Sequence, residues 1–322
     1  MKETPLYPIQ LKPEFRNYVW GGNRLQSLIE PDRLDAQQPL AEVWAVYAGN
    51  TVMNGALAGQ SLAELSAQYG KDLLGKACQN AEVQFPLLIK LLDCNDWLSV
   101  QVHPDDQQAR ELEGVGYVGK TEAWHILDAQ PKAELVAGVK SGVTRAELSS
   151  AILTGHTLNM LKKHSVQAGD TVLIRAGTIH ALGPGILVYE VQQTSDITYR
   201  VYDWDRPLSA GRKLHLEQAA QVCDPTIEVQ LAPLPQPQPT ETILTQCAYF
   251  RLENLAVSTA PLHMDTHQES FHALTVVSGQ ICLECASGRL DLQPLETVLI
   301  PAVCGAYTLS GNGRLLCAAL PD

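Results

Sequence analysis

The stretch IRAGTIHALGPGILVYEVQQTSDITYRVYDWDR, residues 174–206, decides how this chain folds. It sets His180 just beyond Gly177 and follows it with a Gly183-Pro184-Gly185 turn. It then runs through ILVYEVQQ, which carries Glu190 and the amides Gln192 and Gln193, into ITYRVYDW, which carries Arg200. Short runs of aliphatic, aromatic and β-branched residues between glycine turns predict successive strands rather than helices. The preceding SVQAGDTVLIRAG, residues 165–177, adds another strand with a turn at Gly169-Asp170.

Two polar segments lie upstream: VQVHPDD, residues 100–106, and GKTEAW, residues 119–124. With His180 they supply His103 and Glu122. A His/Glu/His set of this kind holds one divalent metal and leaves positions open for substrate. Alternation along VQVHP puts Gln101 on the same face as His103. Glu122 is expected to reach the same cavity from the next strand. Asp105-Asp106 before QQARELE reads as a helix N-cap rather than as a ligand pair. His125, His156, His164 and His215 have no partner pattern and read as structural or surface residues.

Further out, FPLLIKLLD, residues 85–93, predicts a strand buried on both faces. Thr144 and Glu147 form a capping box that starts a helix over TRAELSSAILT, residues 144–154. Leu62, Leu65, Leu73 and Leu74 fit helical spacing loosely over residues 62–75, and the two helical stretches are expected to make a small lobe beside the sheet. Prolines 233, 235, 237 and 239 predict an extended linker. The expected organisation is a catalytic domain over residues 1–230 with a helical insertion, a linker over 231–241, and a second β domain over 242–322.

The spacing Gly169-x5-Arg175-x-Gly177-x2-His180 resembles the second motif of the cupin barrel, with Arg where Pro is usual. Asp265-x-His267-x4-His272-x6-Gly279 mimics the first cupin motif in the C-terminal part. There the second motif has decayed, with Val303 and Ala306 at its glycine and histidine positions, so that domain is expected to carry no metal. The fold class is therefore mainly β with a small helical lobe, in two cupin-like (jelly-roll) β barrels.

The segments FPLLIKLLDCNDWLSVQVHPDD, GKTEAWHIL and AGTIHALGPGILVYEVQQTSDITYRVYDWDR resemble the type I mannose-6-phosphate isomerase family in its short bacterial form. LKPEFRNYVWGG, VWAVYAG and TVMNGALAGQSLAEL, and near the C-terminus CAYFRL, ESFHALTVVSG and LIPA, extend the likeness over nearly the whole chain. The resemblance implies one zinc ion per chain held by His103, Glu122 and His180, with Gln101 at the more variable fourth position. It also implies an active-site Arg200, a substrate-contacting Lys120 and a pocket carboxylate at Glu190. Ala123, His125 and Arg175 depart from common family residues, and none is a proposed ligand. The implied reaction interconverts mannose 6-phosphate and fructose 6-phosphate through a cis-enediolate. A non-catalytic sugar-phosphate-binding cupin and a cupin iron oxygenase are the alternatives.

Arg200 is always cationic and suits charge stabilisation or phosphate binding. Lys120 is the favoured proton carrier and Glu190 the competing base; the residues do not choose between them.

Composition bounds the rest. Hydrophobic residues make up 45% of the 322 and charged residues 18%, the balance of a soluble globular chain. A net charge of −12 without a Lys/Arg cluster argues against nucleic acid or an anionic membrane as partner, while a few local cations suffice for a sugar phosphate. There is no transmembrane-length apolar run and no signal-peptide pattern. Eight scattered cysteines in apolar surroundings read as free thiols in the cytoplasm, the Cys282/Cys285 CxxC having no second pair to complete a zinc site. The chain is expected to be a monomer or weak homodimer.

Overall fold

A computed structural model describes residues 4–26, 39–78, 85–207 and 212–321. Among them the strands form three sheets. One has the order Tyr199–Tyr202, Val100–Val102, His180–Leu182, Glu134–Val139, Leu161–Ser165. A second runs Leu231–Ala232, Thr171–Ile174, Glu122–Ala129, Ile186–Gln193, Leu87–Cys94, Glu42–Val46, Glu14–Arg16. The third is built on the long strands His272–Cys285 and Ala306–Ala319. The expected mainly β architecture is what the structure shows.

Period-two patterning sorts the five-stranded sheet into two faces. Val100, Val102, Val136, Ala181, Tyr199 and Val201 form one core with Leu148 and Ile152 of the helix Arg145–Thr154 and with Ala219, Ala220 and Val222 of the helix Leu216–Val222. Leu135, Ala137 and Leu182 point the other way. They meet Leu92, Trp124, Ile126, Val172, Ile174 and Val188 of the seven-stranded sheet in a second core. The polar residues Gln101, His180 and Arg200 alternate with the first set and so lie on the inner face.

Thr144 caps Arg145–Thr154 with the expected box, its side chain accepting from Glu147 N–H. The helical lobe differs in membership from the expectation. Arg145–Thr154 packs beside Leu216–Val222, whereas Leu62–Tyr69 lies in a different compact unit, and Gly70, at φ 48°, ends that helix before Lys71–Leu74 begins. Leu231 and Ala232 also depart from the expected linker. They pair with Val172 and Thr171, since both precede the first proline and keep the N–H groups a ladder needs. Leu87–Cys94 is buried along its length, as an all-apolar central strand should be.

The chain groups into two compact units. One comprises Met1–Glu14, Trp44–Lys90 and Leu234–Asp322, the other Phe15–Val43 and Leu91–Pro233. This grouping does not follow the sequential order expected of the domains. Ile9–Gln10 extends the C-terminal sheet by pairing with Leu299 and Val298, and Phe85 packs against Phe271 with ring centroids 4.7 Å apart. No helix among the described residues is long and apolar enough to cross a membrane.

Candidate active site

Gln101 sits at the middle of a row across three strands. Its antiparallel partners are His180 on one side and Arg200 on the other, so all three side chains leave the same face of the sheet. His103 follows just beyond the end of the Gln101 strand. Its carbonyl accepts from Gly177 N–H at 2.8 Å, and Gly177 takes a φ of 85° that a residue with a side chain adopts only under strain. That turn delivers His180 beside Gln101.

From the facing sheet comes Glu122, fully buried, the first residue of its strand and opposite Gln192. Its carboxylate oxygens lie 3.5 Å from His103 Nε2 and 3.4 Å from His180 Nε2. One ligand atom from each of His103, Glu122 and His180 can be chosen so that all lie within 4.8 Å of one another. Among the described residues this is the one group of three or more His, Cys, Asp or Glu side chains with such geometry.

The tautomers are fixed by partners that can only accept. His103 Nδ1 donates to the Ile197 carbonyl at 2.7 Å and His180 Nδ1 to the Thr178 carbonyl at 2.8 Å. A carbonyl has no proton, so each Nδ1 carries one and each ring turns its Nε2 toward Glu122. Burial lowers the His180 pKa to about 4 and keeps that ring neutral at ordinary pH. Gln101 Nε2 stands 3.2 Å from His180 Nε2 and 3.5 Å from His103 Nε2. The same amide turned over presents its oxygen to the centre. Two imidazole lone pairs, a carboxylate and an amide oxygen make a donor set suited to a divalent ion.

Lys120 and Glu190 flank this centre. Lys120, 4% exposed, places Nζ 3.0 Å from Glu122 Oε2. Glu190, also 4% exposed, lies opposite Trp124 and accepts from its indole N–H at 2.9 Å. Arg200 is positioned by its backbone: its N–H donates to His215 Nδ1 at 3.3 Å and its carbonyl accepts from His215 N–H at 2.8 Å. Its Nε is buried and has no hydrogen-bond partner among the described residues.

Residues 9–135 match the family described as phosphomannose isomerase type I, catalytic domain, and residues 240–319 match the mannose-6-phosphate isomerase cupin domain. The mannose-6-phosphate isomerase of Streptococcus mutans is 33% identical over 96% of this chain and 97% of its own length. The chain belongs to the type I mannose-6-phosphate isomerase family. A second member, ManA of Bacillus subtilis, is 34% identical over 97% of this chain and 99% of its own. The crystal structure of the Bacillus subtilis mannose 6-phosphate isomerase superposes with a TM-score of 0.85 at 31% identity, covering 97% of this chain and 99% of that one.

Within this isomerase-family chain Gln101, His103, Lys120, Glu122, His180, Glu190 and Arg200 all fall in one compact unit. Three further residues gain a place there that the sequence did not signal. Trp124 carries no signal of its own in the sequence, and its N–H reaches Glu190. His215 has no partner pattern in the sequence, and it clasps the Arg200 backbone. Asp106 reads in the sequence as part of a helix N-cap, but Asp105 supplies that cap, accepting from Gln108 N–H. Asp106 instead turns its Oδ1 to Gly119 N–H at 2.7 Å and to Gln193 Nε2 at 3.0 Å. In the C-terminal unit, His267 is exposed at a φ of 50°, while His272 is buried with Nδ1 2.7 Å from the Tyr307 hydroxyl.

Proposed function

We propose that this chain interconverts mannose 6-phosphate and fructose 6-phosphate, using one zinc ion held by His103, Glu122 and His180 with Gln101 as fourth ligand. The observation that carries the reading is the pair of Nδ1-anchored imidazoles aiming their Nε2 atoms at one buried carboxylate, beside a buried lysine and a second carboxylate. A divalent ion there supplies polarisation of the carbonyl and hydroxyl at C1 and C2 and tolerates the negative charge of a cis-enediolate.

The chain's own groups divide the remaining work. Lys120 Nζ, 3.0 Å from Glu122 Oε2, serves to bind and orient substrate oxygen. Glu190, held by Trp124, is the carboxylate that carries the proton between C1 and C2. Arg200, directly across from Gln101, offers its guanidinium to the enediolate or to the phosphate. This constellation favours the isomerase over an iron oxygenase, whose chemistry needs neither the lysine nor the arginine. Cys94, Cys223, Cys282, Cys285, Cys304 and Cys317 carry free thiols, which supports a reducing, cytoplasmic setting.

The deciding experiment is an assay of mannose 6-phosphate turnover coupled to fructose 6-phosphate detection, run in deuterium oxide. Turnover with deuterium appearing at the transferred position is expected, and Glu190→Gln should abolish both. A wild-type protein that binds the sugar phosphate without converting it would establish the non-catalytic alternative.

A further inference from the structure

Glu122 opens a strand and Lys120 stands two residues before it, where backbone position is loosely held unless something beyond the ladder fixes it. Here a specific set of bonds does so. Gln193 closes a ring on Thr121, the residue between them: Thr121 N–H donates to Gln193 Oε1 at 2.8 Å, and Gln193 N–H donates to the Thr121 carbonyl at 3.1 Å. The other end of the Gln193 amide donates to Asp106 Oδ1 at 3.0 Å, and the same oxygen accepts from Gly119 N–H at 2.7 Å. Lys120 N–H donates to the Pro104 carbonyl at 3.0 Å. A Cβ on Gly119 would come within 2.5 Å of the Asp105 backbone, so the two segments touch with no room for a side chain.

Asp106 lies three residues beyond His103, at the first position of the helix Asp106–Glu113. It therefore ties the segment that bears one imidazole to the segment that bears the lysine and the carboxylate. Gln193 is 6% exposed, and both ends of its amide are used. An amide so placed has a determined orientation, since only its nitrogen can donate to Asp106 and only its oxygen can accept from Thr121.

We propose that Asp106 and Gln193 form a clamp that sets where Lys120 and Glu122 stand relative to His103. They are positioning residues: both act through the Gly119–Thr121 backbone. The kinetic part of this inference rests on the isomerase reading; the metal-affinity part does not.

The test exploits the donor–acceptor polarity of the pair. Gln193→Glu keeps the acceptor for Thr121 N–H but sets a carboxylate against Asp106. Adding Asp106→Asn to that variant removes one of the two opposed charges while its Oδ1 still accepts from Gly119 N–H. Zinc affinity, by competition with a chelator, and kcat and KM for mannose 6-phosphate would be measured for wild type, both single variants and the double variant. Gln193→Glu should lose about 10- to 100-fold in zinc affinity or in kcat, with KM changed far less, and the double variant should recover most of that loss. Equal behaviour of the single and double variants, or a Gln193→Glu protein indistinguishable from wild type, would overturn the clamp. If Gln193→Glu does not fold, Asp106→Ala and Asp106→Asn decide instead. The asparagine keeps Oδ1 as acceptor and should retain most function, whereas alanine should lose about tenfold or more, and equal losses would again overturn the inference. A wild type that binds zinc but does not turn over rejects the isomerase reading and leaves the affinity comparison standing. A wild type that does neither rejects both.

Discussion

Trp124 donates its indole N–H to Glu190 Oε2 at 2.9 Å while the same ring meets His180 edge-on, with ring centroids 5.4 Å apart. One side chain thus orients a candidate base and buttresses a candidate ligand. Trp124→Phe keeps an aromatic ring in the core and removes the donor along with part of the indole's volume. It should lower kcat by about tenfold while zinc content stays at the wild-type level. Trp124→Ala should in addition destabilise the fold by about 3–5 kcal/mol, as truncation of a large buried aromatic does. Steady-state kinetics and thermal unfolding of the two variants separate these effects; an unchanged kcat in the phenylalanine variant would remove Glu190 orientation from the mechanism.

Purified protein should carry about one zinc ion per chain, lose turnover on chelation and regain it when zinc returns. His180→Ala and Glu122→Ala should each lose the metal yet keep the strand content seen by circular dichroism. Elemental analysis with activity measured on the same samples is the check, and full activity in verified metal-free protein would sink the ligand assignment.

Arg200 faces the centre from the position opposite Gln101, with its buried Nε awaiting a partner among the described residues. Arg200→Ala should reduce kcat by about a hundredfold or more with normal zinc content. Arg200→Lys should recover only part, because an ammonium cannot present the planar fork. A raised KM with unchanged kcat would make Arg200 a binding residue alone.

The C-terminal unit has its own pH signature. Burial lowers the His272 pKa from 6.5 to about 4, with the nearby Arg251 and His267 charges adding to the effect. The unfolded chain therefore binds a proton below about pH 6.5 that the folded one refuses until about pH 4. Stability should fall as pH drops through that window, by up to about 3 kcal/mol from this residue. Unfolding midpoints between pH 7 and 5 should slope less steeply in His272→Gln than in wild type. Replacing His267 and His272 together with alanine should leave zinc stoichiometry and turnover near wild type; loss of a second metal equivalent would mean that this unit holds metal as well.

The parts of the fold and site legible in the sequence were those governed by local rules. Alternation alone predicted that Gln101 shares a face with His103, and Gly177 with its turn predicted where His180 emerges. Thr144 and Glu147 announced a helix through a motif of four residues. What stayed hidden depends on partners far along the chain. Nothing near Trp124 points to Glu190, 66 positions away. The Asp106 side chain sits beside a helix cap and reads as one, until the folded chain brings Gly119 and Gln193 to it. The pairing of Ile9–Gln10 with Thr297–Ile300 joins opposite ends of the chain, beyond the reach of any window used to read periodicity.

The acceptors that hold the two imidazoles are main-chain carbonyls, at Ile197 and Thr178. No substitution at those two positions deletes the oxygen that fixes the ring, because every amino acid brings the same carbonyl. Ligand orientation is thereby insulated from point mutation in the residues that enforce it. Only a change able to move the backbone, such as a proline or an insertion, can reach it. Protein engineers altering the pocket around His103 and His180 can therefore change the side chains at 178 and 197 without losing either acceptor, provided the new side chain fits where Thr178 is buried and Ile197 packs.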